Sequence, residues 1–310
     1  MKILITGGAG FIGSNIADAL VEDGHKTVVV DDLSCGKKEN INKKALFYKA
    51  GISDKKRIFE IFKKENPEIV IHKAAQIDVR KSVADPYYDA QINILGSINI
   101  LNACIANRVK KIIFASSGGT IYGECGKTAP DEKSFPNPLS PYGIAKYAVE
   151  NYIKFYSQMY GLKYCVLRYA NVYGPRQDPF GEAGVVAIFA NKMLSNEDVY
   201  IFGDGRQMRD YVYVGDVVRA NLKALKKGGG GIINIGVGKT VSVNELFKIM
   251  SSYLKYGKKA VYKPKRDGEL FKSFLNIKKA SSVLGWKPQT DIKEGVAKTL
   301  DYFKELRKIR

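Results

Sequence analysis

Apolar positions change period along this chain. Residues 2–6, Lys-Ile-Leu-Ile-Thr, run apolar after one polar position, as a parallel strand buried on both faces does. Ser14 to Glu22 then carries helical spacing, and Lys26 to Val30 is a second strand. The alternation continues with strands at Ala45–Tyr48 and Ile69–Ile71, a helix over Lys55–Glu65 between them, a long helix over Asp89–Asn107 and a strand at Lys111–Ala115. A helix over 142–160 and a strand at Lys163–Arg168 follow. Strands alternating with helices at this spacing predict an α/β fold with a doubly wound parallel sheet, the Rossmann arrangement.

Beyond residue 170 the regular alternation is lost. The pattern predicts a helix over 184–195, a short strand Val199–Phe202, and a helix from Val214 to Lys227 closed by Gly228-Gly229-Gly230-Gly231. A strand Ile232–Ile235 returns to the main sheet, a helix spans Val241–Tyr256, residues 262–270 form an irregular basic loop, and 291–309 is a closing helix. We therefore expect residues 1–170 with 211–238 to form the Rossmann domain, and 171–210 with 239–310 a smaller α/β domain interleaved with it.

With 310 residues, 45% of them apolar, the chain can bury a large core. No apolar run approaches the roughly 18 residues of a membrane span, and the start passes straight from strand to glycine loop, so a cytoplasmic protein is expected. Cys35, Cys104, Cys125 and Cys165 lack paired ligand spacing and the only histidines are His25 and His72, so neither a metal site nor a disulfide framework is expected. The net charge of +19 raises the question of nucleic acid. Its lysines are scattered as pairs along helices without an interleaved aromatic platform, which fits a lysine-rich surface or an anionic small substrate better.

Candidate chemistry lies where strands end. Gly7-Gly8-Ala9-Gly10-Phe11-Ile12-Gly13 stands between the first strand and the first helix, the context in which glycines admit a pyrophosphate to a helix N-terminus. Asp31-Asp32, at the end of the second strand, can accept hydrogen bonds from both adenosine-ribose hydroxyls and repel a 2′-phosphate, which favours NAD over NADP. The strand at Lys111–Ala115 runs into Ser116-Ser117-Gly118-Gly119-Thr120-Ile121-Tyr122-Gly123, and Tyr142 and Lys146 follow, four apart on one helix. An ammonium near a phenol favours the phenolate, so this pair is expected to lower the tyrosine pKa toward neutrality and act as an acid–base device.

Together with His72-Lys73-Ala74-Ala75-Gln76, Asn93, the run Arg168 to Arg176, Arg209-Asp210-Tyr211 and Arg266-Asp267-Gly268-Glu269, these motifs make the chain resemble the extended short-chain dehydrogenase/reductase family. Within it the resemblance is to the NAD-dependent nucleotide-sugar epimerases, most closely those of UDP-glucose and UDP-galactose, and it covers nearly the whole chain. The resemblance implies that Gly7, Gly10, Phe11, Ile12 and Gly13 hold the pyrophosphate of NAD and that Asp31 and Asp32 hold the adenosine ribose. It places Ile52 at the adenine, Ala74, Ala75, Gln76, Asn93 and Val172 along the rest of the cofactor, and Lys146 at the nicotinamide ribose. Tyr142 would be the base, with Ser117 as its hydroxyl partner. On a UDP-hexose, Asn171, Arg209 and Arg266 would meet the diphosphate, Glu269 the uridine ribose, and the strand containing Tyr200 and Phe202 the uracil. The mechanism implied is transient oxidation at C4 of the sugar by bound NAD, turnover of the 4-keto sugar, and reduction on its other face.

The chain also departs from that pattern. Many relatives have an aspartate for adenine where this one has Gly51, so adenine recognition there is expected from backbone alone. Gly118-Gly119 makes Thr120 a rival to Ser117 for the hydroxyl role. No acid follows the serine pair, which argues against the related dehydratases, while UDP-glucuronate epimerisation stays open. Ser273 stands where some relatives carry a bulky residue, so UDP-GlcNAc and UDP-GalNAc are expected as further substrates. An idle NAD(H)-binding sensor or scaffold would need none of Ser117, Tyr142 and Lys146. In relatives the faces of helices 89–107 and 142–160 pair, so a homodimer is expected.

Overall fold

The computed structural model describes residues 1–180, 184–227, 229–266 and 268–308. β1 (Lys2–Thr6), α1 (Phe11–Glu22), β2 (Lys26–Asp31), β3 (Leu46–Lys49), α2 (Lys55–Glu65) and β4 (Ile69–His72) open the chain. Next come α3 (Val79–Ala84), α4 (Pro86–Ala90), α5 (Gly96–Ala106), β5 (Lys111–Ser117), α6 (Gly118–Ile121), α7 (Pro141–Tyr160) and β6 (Lys163–Tyr169). The rest comprises β7 (Asn171–Tyr173), α8 (Val185–Leu194), β8 (Tyr200–Phe202), β9 (Met208–Arg209), β10 (Tyr211–Tyr213) and α9 (Val214–Lys226). β11 (Gly231–Ile235), β12 (Val241–Ser242), α10 (Val243–Leu254), β13 (Val261–Lys263), β14 (Lys272–Ser273) and α11 (Ile292–Lys308) complete it.

Seven strands form one parallel sheet in the order β11-β6-β5-β4-β1-β2-β3. The doubly wound expectation holds, and β11 does return to the sheet beside β6. Because the order reverses between β1 and β4, the carboxyl ends of those strands open on a crevice. Both faces are buried, since successive side chains point to opposite sides. Ile5, Ile71 and Leu167 pack with Ile16 of α1 and Val217 of α9, while Leu4, Val70 and Val166 pack with Phe62 of α2, Leu101 of α5 and Ile153 of α7. A third core joins Phe189 of α8, Leu246 of α10 and Leu300 of α11. Around it lie the short sheets β7 with β10, β8 with β13, and β9 between β12 and β14.

Several expectations change in detail. The helix expected over 89–107 starts earlier, because Asp85 caps it through Tyr88 N and Pro86 fits its first turn. It also widens into a π turn at Gln91–Leu95, which carries the buried Asn93. Such turns recur at functional sites because they re-aim one side chain. The helix expected over Val241–Tyr256 is α10, preceded by β12, because Ser242 and Glu245 close a capping box at its start. Part of the expected 262–270 loop belongs to β13, parallel to β8. Gly228 of the glycine run, Asp267 of the Arg-Asp-Gly-Glu motif and Ile309 of the closing helix lie outside the described residues.

Candidate active site

The glycine loop is shaped by backbone crowding. Gly7 has φ +69°, and a Cβ there would lie 2.6 Å from Ala74 N; one on Gly13 would fall on the carbonyl oxygen of Gly7. Only glycine allows the strand end, the loop and the start of α1 to approach this closely. Gly10 caps α1 without a side-chain acceptor, so the first amides of that helix remain available to an anion. This cradle, which a Cβ would fill, fits the diphosphate of a dinucleotide.

Asp31 and Asp32 differ in their surroundings. Asp31 is buried and accepts from Ala9 N at 2.9 Å and Leu33 N at 2.8 Å, so its carboxylate braces the glycine loop. Burial raises its pKa, and those amides work against that shift. Asp32 is exposed and accepts from Ser34 N and Oγ. Ile52 is buried, and Asn99 Nδ2 donates to its carbonyl at 3.1 Å.

At the end of β4 the buried polar groups form a chain with a defined direction. Ser97 Oγ donates to Asn93 O at 2.5 Å, so His72 Nε2 donates to Ser97 Oγ at 2.9 Å and His72 Nδ1 accepts from Thr6 Oγ1 at 2.6 Å. Burial, Lys146 and Lys73 hold the histidine neutral, with a pKa lowered to about 3. Thr6 Oγ1 in turn accepts from the amides of Lys73 and Ala74. Asn93 accepts from Gln76 N and donates to Gln76 O and to Asp89 Oδ1, all at 2.9 Å, which fixes residues 74–76 over the crevice.

Ser117 ends β5, and Tyr142 and Lys146 lie in the first turns of α7. Ser140 caps that helix by accepting from Gly143 N at 3.2 Å, and Ser82 Oγ accepts from Tyr142 N at 3.3 Å. A Cβ at Gly143 would sit 2.9 Å from Thr120 O, so glycine there lets α6 lie against α7. Lys146 Nζ donates to Ala115 O at 3.0 Å and lies 4.9 Å from the centre of the Phe114 ring and 5.6 Å from that of Tyr142. An added Cβ at Gly119 would touch both Ser117 Oγ and Asn171 Oδ1, whereas Thr120 Oγ1 is buried with no hydrogen-bond partner among the described residues.

The expected lowering of the tyrosine pKa is not found in the protein alone. Burial, then the charge of Asp89, raises the Tyr142 phenol above its ordinary value. Burial also brings Lys146 down to about 8, against the pull of Asp89 and Glu150. The ammonium bonds a carbonyl and not the phenol, so desolvation outweighs its attraction for a phenolate.

Sequence reasoning missed the network beneath this pair. Arg168 and Glu150, 2% and 0% exposed, form a two-point ion pair at 2.9 and 2.6 Å. Ser116 Oγ donates to the same carboxylate at 2.6 Å, and Arg168 Nη1 donates to Tyr122 Oη at 2.7 Å. The signal was present in the sequence: Glu150 stands four residues after Lys146, on the same helix face.

The residues expected on the substrate side lie on or beside the smaller sheets. Asn171 opens β7 and is exposed, with Val172 half-buried beside it. Arg209 donates to the carbonyls of Met208, Leu270 and Phe271 and lies 3.6 Å from Glu269. Arg266 lies 3.7 Å from the centre of the Phe202 ring, and Lys263 lies 5.1 Å from that of Tyr200. Arg209 thus stands on β9 and Arg266 against β8, strands of two different short sheets.

The pattern of the NAD dependent epimerase/dehydratase family matches residues 3–236. A putative UDP-glucose 4-epimerase of Methanocaldococcus jannaschii is 52% identical over 302 residues, 97% of this chain and 98% of that protein. The crystal structure of UDP-glucose 4-epimerase of Thermotoga maritima with UDP-glucose superposes with a TM-score of 0.97 at 54% identity, over 99% of this chain and all of that one. The Thermus thermophilus UDP-glucose 4-epimerase complex with NAD gives a TM-score of 0.94 at 42% identity, over 98% of this chain and 99% of that one.

Proposed function

The chain belongs to the NAD-dependent epimerase/dehydratase family, and from that premise we propose that it interconverts UDP-glucose and UDP-galactose by inverting C4 of the sugar. It is an isomerase that uses NAD. The observation that supports the reading is that Lys146 Nζ donates to the Ala115 carbonyl of β5, two residues before Ser117, and lies 5.6 Å from the centre of the Tyr142 ring, while the glycine cradle follows β1 of the same sheet. A binding protein would need the cradle but not the acid–base pair.

The 1–170 and 211–238 segments hold the cofactor, and 171–210 with 239–310 hold the nucleotide sugar. Gly7, Gly10, Phe11, Ile12 and Gly13 meet the cofactor's diphosphate. Asp32 reaches the adenosine ribose, with Asp31 holding the loop in place. Ile52, Ala74, Ala75, Gln76, Asn93 and Val172 line the remainder. NAD, when bound, supplies reversible hydride exchange at the sugar carbon. Tyr142 takes the proton of the sugar 4-hydroxyl and returns it to the same oxygen once the turned keto sugar is reduced on its other face, with Ser117 donating to that oxygen. Ser117 is favoured over Thr120 because its hydroxyl borders the position beside Gly119 together with Asn171, whereas Thr120 Oγ1 is buried. Lys146 offsets charge on Tyr142. Asn171, Arg209 and Arg266 take the substrate diphosphate, Glu269 the uridine ribose, and Tyr200 and Phe202 the base.

The small side chain of Ser273, at the β9–β14 edge, supports acceptance of N-acetylated UDP-hexoses. A homodimer through α7 and a cytoplasmic site of action complete the reading; the latter is supported by four unpaired cysteine thiols. No helix among the described residues is long and apolar enough to cross a membrane.

The test is to incubate purified protein with UDP-galactose and, separately, with UDP-GlcNAc, and to resolve the products by NMR. The C4 epimer of UDP-galactose is expected without added NAD. Absence of any epimer even with NAD present would overturn the assignment, and turnover of UDP-galactose alone would remove the Ser273 argument.

A further inference from the structure

Glu124 has no part in the reading above. It follows Tyr122-Gly123 in the loop after α6, and its side chain reaches the segment that leads into β14. Its Oε2 accepts from Phe271 N at 2.8 Å and its Oε1 from Lys272 N at 2.7 Å. Both distances are short for N–H···O bonds, as expected of an ionised acceptor. The same two peptide groups are held from their other side. Leu270 O, in the peptide that ends at Phe271 N, accepts from Arg209 Nη2 at 2.6 Å. Phe271 O, in the peptide that ends at Lys272 N, accepts from Arg209 Nη1 at 3.3 Å. Two successive peptide groups therefore stand between a carboxylate and a guanidinium, with N–H toward the negative charge and C=O toward the positive one.

This order has an energetic consequence. A hydrogen bond at one end of an amide polarises it and strengthens the bond at the other end. By taking both N–H groups, Glu124 makes both carbonyls better acceptors for Arg209 and fixes where they lie. Backbone bonds already fasten the segment, from Cys125 N to Lys272 O at 3.1 Å and from Met208 N to Phe271 O at 2.7 Å. What the carboxylate adds is its effect on the two peptide dipoles and, through them, on Arg209. Arg209 also donates to Met208 O at 2.9 Å, so carbonyls use at most three of its five N–H groups and at least two are left for an anion.

We propose that Glu124 is a positioning residue for Arg209: through the peptides joining Leu270 to Phe271 and Phe271 to Lys272 it holds the guanidinium so that its remaining N–H groups meet the substrate diphosphate. That the anion is the diphosphate of a nucleotide sugar rests on the proposed function; the seating of Arg209 rests on the hydrogen bonds alone. A planar fork gains from such seating, because it binds phosphate at two points only when its angle is set.

The test is calorimetric titration of UDP into the NAD-loaded native chain, Glu124→Ala, Arg209→Lys and the double variant. Glu124→Ala should raise the Kd for UDP about five- to tenfold, the scale of one charge-assisted hydrogen bond. In the Arg209→Lys background, where the fork is gone, the same change should add less than about twofold. Glu124→Gln keeps one acceptor oxygen, should fall between the native chain and the alanine variant, and replaces the latter if it fails to fold; Arg209→Gln does the same for Arg209→Lys. Unchanged UDP affinity in the folded Glu124 variant overturns the proposal. So does an equal loss in both Arg209 backgrounds, since that is how a general support of the segment behaves. Absence of UDP binding by the native chain overturns the nucleotide reading itself, and the proposal with it.

Discussion

At the scale of single residues the choice between the two hydroxyls is decided by where each one points. Ser117 Oγ ends a strand and borders the position beside Gly119 together with Asn171, while Thr120 Oγ1 is buried with no hydrogen-bond partner among the described residues. A hydroxyl that donates to the reacting oxygen stabilises charge as it develops, which is typically worth about 10²–10³ in rate. Ser117→Ala is therefore expected to lower kcat on UDP-galactose by about 100-fold with little change in KM. Thr120→Ala should stay within about threefold. Steady-state kinetics of the two variants checks this; the reverse ranking would transfer the role to Thr120.

At the scale of elements, α7 carries Tyr142 and Lys146 in its first turns and is tied to the sheet by ion pairing further along. Glu150 accepts from Arg168 of β6 and from Ser116 of β5, so one carboxylate fixes the helix against two strand ends. Removing one partner of a buried pair leaves an uncompensated charge, at a cost of about 3–5 kcal/mol. Arg168→Met should lower unfolding free energy by that amount in chemical denaturation, and Glu150→Gln should do so less severely because the amide still accepts one bond. A loss under about 1 kcal/mol for Arg168→Met would mean that the network does not hold α7 in place. These elements also show what the sequence makes legible. The strands, the glycine loop and the Tyr142–Lys146 spacing follow from period and local geometry, which are encoded within short windows. The partners Arg168–Glu150, Asp89–Gln76 and Asp31–Ala9 do not, because each joins residues that only the fold brings together. The pKa of Tyr142 was misjudged for the same reason: spacing reports the nearby ammonium but not the burial that outweighs it.

At the scale of the whole molecule the outer face of α7 stands out. Tyr152, Phe155, Met159 and Tyr160 are exposed there, Phe155 by 47% and Met159 by 63%, with Leu95 of the neighbouring π turn also exposed. A contiguous apolar stripe on one helix is a common mark of an interface, whereas scattered apolar residues need no partner. A second copy can cover it symmetrically, since a two-fold contact sets the same patch against itself. Each large apolar side chain so buried is worth about 1.5–3 kcal/mol, and two copies double the number. Tyr142 and Lys146 lie on the same helix, so such a contact would also stiffen the element that carries them. Light scattering should therefore give a dimer for the native chain, and Phe155→Glu with Met159→Glu should give a folded monomer of lower kcat, because both changes set like charges into the contact. A native chain that scatters as a monomer removes the interface. A monomeric double variant with unchanged kcat keeps the interface and detaches it from catalysis.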